Sequence, residues 1–103
     1  MRAALRTPLC GLGLTAAMVA SAAAADVARG ADLYRQHCTS CHGPAGRPVL
    51  PIAPDLSRPT ALLKPDLGLL AAIRDGKAGM PAYQGLLRDR EILDIVAHLR
   101  TLK

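Results

Sequence analysis

The sequence predicts an all-α domain. Two stretches, one early and one at the end, repeat apolar residues with the 3.6-residue period of a helix, and no stretch alternates apolar and polar residues as a half-buried strand would. The segments between the periodic ones are dense in Pro and Gly, which punctuate helices rather than extend them. No internal repeat is present.

The first 25 residues stand outside this pattern. Arg2 and Arg6 form a positive start, Leu9 to Ala20 is an apolar stretch, and Ala23-Ala24-Ala25 is a small-residue cleavage site before Asp26. Residues 1–25 are therefore expected to be a cleaved secretory signal peptide, and residues 26–103 the domain. A retained anchor is the competing reading, but the apolar stretch is short of the roughly 20 residues of a span and ends in small residues rather than charges. No permanent membrane span is expected. Cys10 goes with the signal, since Thr7-Pro8-Leu9 before it is unlike a bacterial lipoprotein box.

What is left is 78 of the 103 residues, too few for a large core, with no Trp or Phe and only Tyr34 and Tyr83 as aromatic bulk. Such a domain needs a staple. With Arg2 and Arg6 removed, eleven basic side chains face eight acidic ones, a net +3. The basic residues are scattered and lack aromatic interleaving, which gives no support to nucleic-acid binding.

Taken in order, residues 26–37 read as the first helix. Val27, Gly30, Ala31 and Tyr34 form its apolar stripe, and Asp26 stands where a cap belongs. Gly30 costs a helix about 1 kcal/mol relative to Ala; it is either an incidental residue or a point of close crossing by another helix. His37 reads as a surface or packing residue.

Cys38-Thr39-Ser40-Cys41-His42 follows. This is C-x-x-C-H, the attachment signature of c-type haem. Two thiols two residues apart on a short turn can each add to one vinyl group of the same porphyrin, and the adjacent imidazole then lies under the iron. A redox dithiol would want a βαβ context and a zinc site a second ligand pair; the sequence offers neither. A covalent haem with its iron would also supply the missing apolar bulk. His42 is thus a metal ligand candidate, and Cys38 and Cys41 are the thioether candidates.

Residues 43–54 hold four Pro and two Gly, which excludes a continuous helix and predicts a wrapping loop placed to offer the His42 ring an acceptor for its second N–H. Residues 57–63 are loop or a short helical turn. Pro65 and Asp66 open a middle helix over 65–75 that Gly76 ends. The next loop, 76–83, carries Met80, the only Met of the domain. A lone Met is ordinarily a core filler; in a loop downstream of C-x-x-C-H it reads as an axial thioether ligand, held extended by Pro81. Residues 89–102 form the last and clearest helix, with Ile92, Ile95, Val96, Leu99 and Leu102 on one face and its charges solvated on the other.

Together these residues resemble the class I cytochromes c, specifically the small bacterial monohaem type. The likeness spans nearly all of residues 26–103: Gly30 and Tyr34 before the first Cys, Cys38/Cys41/His42, the Gly43-to-Gly46 turn, Pro54-Asp55-Leu56, Met80-Pro81 and Ile95 to Arg100. It implies a cytochrome c fold with the first and last helices crossing near Gly30 and Ile95 around a covalent haem. By the same likeness the Pro54 carbonyl accepts the Nδ1–H of His42 and Leu56 touches the porphyrin. One departure stands out: the last helix has His98 where the family usually presents an aromatic residue, and His98 is expected to pack at the crossing in its place.

The expected function is that of a periplasmic, non-enzymatic electron-transfer protein carrying one electron on a His42/Met80-ligated haem c. Its partners would be periplasmic or membrane-bound redox proteins. The alternative is a dedicated haem c subunit of a periplasmic dehydrogenase complex.

Overall fold

The structure is a computed structural model that describes residues 24–103, together with residues 3, 4, 11 and 13. Most of the expected signal segment, including Cys10, lies outside the described residues. The described residues form α1 (Val27–His37), α2 (Thr39–His42), the 3-10 turn Pro59–Leu62, α3 (Asp66–Asp75) and α4 (Asp89–Leu99). Among the described residues no strand forms.

α1 begins as its sequence predicts, with the Asp26 carboxylate accepting the Arg29 N–H at 3.0 Å. Gly30 and Tyr34 are its buried residues, whereas Val27 at the outer end of the stripe is exposed. The crossing with α4 explains Gly30. A Cβ there would lie 1.8 Å from the Asp94 carbonyl oxygen and 2.9 Å from the Ile95 nitrogen, so the two backbones touch where only glycine leaves room. Around that contact Tyr34, Ile92, Ile95 and Val96 are each at most 1% exposed. The His98 ring packs on Tyr34 with centroids 5.1 Å apart, which is the place expected of it.

Three expectations need adjustment. α4 stops at Leu99 rather than reaching residue 102: the Thr101 N–H and hydroxyl both turn back to the His98 carbonyl, at 2.9 and 2.6 Å, and the Leu102 N–H bonds Leu99 at 3.1 Å. Arg100 leaves the helix to bind the Leu62 and Lys64 carbonyls and Asp66, at 2.6 to 3.0 Å. Leu102 still packs on the core. α3 starts at Asp66, because Pro65 is its cap and lends its carbonyl to the N–H groups of Gly68 and Leu69. Finally, one charge of α4 is not solvated: Asp94 is buried.

α3 lays Leu69, Leu70 and Ile73 against the rest of the core. The chain beyond α3 is tied back to it by the Tyr83 N–H on the Ile73 carbonyl and the Gln84 N–H on that of Arg74, at 3.2 and 3.0 Å.

Candidate haem site

The haem-attachment signature sits where two helices meet. α1 ends as the Cys38 N–H bonds Tyr34, and the chain turns straight into the single turn of α2, whose His42 N–H bonds the Cys38 carbonyl at 2.9 Å. Gly43 then takes a φ of 75°, and a Cβ there would lie 2.0 Å from the Arg47 carbonyl oxygen, so the wrapping loop can fold back only over a glycine. The Tyr34 hydroxyl donates to the Gly43 carbonyl at 2.5 Å, fastening the loop to α1. Burial, reinforced by Cys38, pushes the Tyr34 phenol up to about 12, so it stays a donor. The N–H groups of Val49 and Leu50 both reach the Cys41 carbonyl, at 2.9 and 3.2 Å, and the Leu56 N–H reaches Gly46 at 2.9 Å.

The second arm is the loop after α3. Lys77 and Met80 exchange backbone hydrogen bonds at 3.1 and 2.6 Å around Gly79, whose φ is 87°. Gly76 allows this turn to fold close, since a Cβ there would lie 2.8 Å from the Met80 carbonyl oxygen. The Met80 side chain is partly buried against the core. Beyond it the Tyr83 hydroxyl donates to the His37 carbonyl at 2.8 Å, and the two rings meet edge to face at 5.9 Å.

Between these arms, α3 and the α1–α4 crossing lies a cavity of about 430 Å³ with mostly apolar walls. All six residues singled out in the sequence line it: Cys38, Cys41, His42, Pro54, Leu56 and Met80. Leu50, Ile52, Leu62, Leu69, Ile73, Tyr83, Ile95 and Leu99 add to the walls. The sequence marks Ile95 and Leu99 only as part of the apolar stripe of the last helix; Ile52 and Leu62, in irregular segments, carry no periodic signal.

The residues fit a haem on two further counts. His42 Nδ1 is the buried side-chain nitrogen or oxygen without a hydrogen-bond partner among the described residues. Burial lowers the affinity of this imidazole for protons, and the nearby Pro54 backbone partly offsets that, so the neutral ring is favoured. A neutral imidazole is the form that ligates a metal. The Cys38 thiol is pushed up to about 11 by burial and by Cys41. A redox dithiol needs the opposite, a thiol easily ionised. Among the described residues no group of three or more His, Cys, Asp and Glu side chains gathers as a zinc site would require.

An all-helical domain that closes on C-x-x-C-H around a large apolar cavity defines a c-type haem protein. Comparison with known proteins makes this specific. Residues 25–99 match the family model described as cytochrome c oxidase, cbb3-type, subunit III. Cytochrome c6 of Nostoc sp. is 33% identical over 96 residues, covering 88% of this chain and 85% of that one. Cytochrome c6 of Thermosynechococcus vestitus is 29% identical over 92 residues, covering 85% and 80%. Among solved structures, the KustC0563 c-type cytochrome superposes with a TM-score of 0.67 at 26% identity, over 72% of this chain and 96% of that one. Cytochrome c6 from the diatom Phaeodactylum tricornutum shares the fold, with a TM-score of 0.61 over 74% and 92% of the two chains at 24% identity.

The chain belongs to the cytochrome c family that this model describes, as a small class I monohaem member. It carries one covalently attached haem c with its iron and acts in electron transfer.

Proposed function

We propose that the protein is a periplasmic carrier of single electrons whose haem is bonded through Cys38 and Cys41 and ligated by His42 and Met80. In this reading residues 1–25 are a signal peptide removed on export and residues 26–103 are the mature domain. The observation that supports it best is convergence: both cysteines, both candidate ligands, Pro54 and Leu56 come from three separate segments and line the same apolar cavity.

The bound haem supplies a one-electron iron couple. The protein supplies everything else. Cys38 and Cys41 would hold the haem through thioether bonds, each S–H being added across one vinyl double bond with no oxidant consumed. His42 would hold the iron through Nε2, which leaves Nδ1, without a hydrogen-bond partner among the described residues, to offer its N–H to the Pro54 carbonyl and so fix the tautomer and the ring plane. Met80 would offer a thioether as the second ligand, a donor that raises the reduction potential of a haem iron. Leu56, Leu69, Ile73 and Tyr83 keep water from the cavity. With His42 and Met80 both holding the iron no substrate site would be open, which favours electron transfer over chemistry at the metal. Carbon monoxide offered to the ferrous protein tests this: a closed iron leaves it unbound, and rapid binding would overturn the ligation.

A second reading, a haem subunit docked on a larger redox enzyme, is favoured by the matched family description, which names an oxidase subunit. Leu63 and Leu67, beside the α3 start, are 79% and 70% exposed and would suit such a contact.

A further inference from the structure

Asp94 is only 3% exposed, yet it carries a carboxylate. The group that meets it is the backbone nitrogen of Asp26, which donates to Oδ1 at 2.8 Å from the other end of the domain. The close crossing at Gly30 brings the start of α1 to this carboxylate. The cation near it among the described residues is Arg29, with Nε 3.9 Å from Oδ2, but its Nη2 is engaged by Glu91 at 3.1 Å. While residue 25 is attached, the Asp26 nitrogen is an amide with one N–H and no charge. A buried carboxylate facing a neutral amide and a shared guanidinium is poorly compensated.

Asp26 is also the residue after Ala25, the expected cleavage point. We propose that hydrolysis of the Ala25–Asp26 bond completes this site, converting the amide into an α-ammonium group that pairs with the buried Asp94 carboxylate and pins the start of α1 to α4. Water supplies the balance: its hydroxyl leaves on the Ala25 carboxylate, and the freed amine takes up a proton, as an α-amino group does near neutral pH. A cation at a helix start is ordinarily disfavoured by the helix dipole; here Asp94 and the capping Asp26 carboxylate offset it. Arg29, Arg88, Arg90 and Glu91 line the same shallow pocket of about 200 Å³. Glu91 is already held by the Arg29 guanidinium and the Arg88 N–H, which leaves Asp94 as the anion for the new amine.

The inference rests on residues 1–25 being a cleaved signal, and the two can fail separately. Haem-loaded proteins would be exported behind the signal of another exported protein, one form starting at Asp26 and one retaining Ala25, each also as Asp94→Asn. The form starting at Asp26 should melt about 5 °C or more above the other, a gap typical of one charge-assisted bond in a domain this size. That gap should close in Asp94→Asn. Equal melting of the two forms with Asp94 present, or a gap untouched by Asp94→Asn, would overturn the ion pair. The intact mass of the protein exported behind its own leader tests the processing: a chain beginning at Asp26 supports the proposal, and any other start removes the pair from the natural protein whatever the melting cycle shows.

Discussion

Replacing Gly30 by alanine adds one methyl group where the helices leave it no space. Its Cβ would stand 1.8 Å from the Asp94 carbonyl oxygen, about 1.5 Å short of the closest comfortable carbon–oxygen contact. The obstacle is backbone on α4, so no rotamer change relieves it; the helices must separate. Separation loosens Tyr34, Ile92, Ile95 and Val96, the most buried side chains of the crossing. Overpacking of this kind costs about 1–3 kcal/mol, and a clash against backbone belongs at the upper end. Alanine returns about 1 kcal/mol of helix propensity. The net loss is about 2 kcal/mol, which for a domain of this size lowers Tm by roughly 8–16 °C. Thermal unfolding of the haem-loaded wild type and Gly30→Ala, followed by far-ultraviolet circular dichroism, measures it. A Tm equal to or above that of wild type would refute the close crossing.

Two further outcomes are expected. Burial first, and Arg35 second, hold the His98 imidazole below its ordinary proton affinity, so below about pH 6.5 the unfolded chain binds more protons than the folded one and stability falls with acidification. His98→Tyr should remove that part of the decline between pH 7 and 5; parallel Tm profiles for the two proteins would contradict the packing of a neutral ring on Tyr34. A free carrier should also be recovered from its own cell envelope, without detergent, clear of any stoichiometric catalytic chain, whereas constant co-elution with one would favour the haem-subunit reading.

Much of the fold is written locally. C-x-x-C-H and Met80-Pro81 are short patterns whose chemistry can be read without a partner, and the stripes of α1 and α4 carry the period that buries them. Contacts between distant segments are harder to read. Asp94 lies beside the apolar face of α4, and periodicity alone makes it a solvated charge; it is buried because the start of α1 arrives over it, 68 residues away in the chain. The end of α4 is likewise decided elsewhere, by Arg100 reaching the Leu62 and Lys64 carbonyls. Ile52 and Leu62 become cavity walls only after the loops have closed, and the Tyr83 hydroxyl finds its acceptor on His37 across 46 residues.

In the proposed ligation Met80 closes the iron. This is tested most directly by titrating the ferrous wild type and Met80→Ala with carbon monoxide at neutral pH and following the haem absorption. The wild type should leave the ligand unbound, and Met80→Ala should take it up at once with an altered ligand-free spectrum. Two proteins with the same spectrum and the same uptake would contradict it.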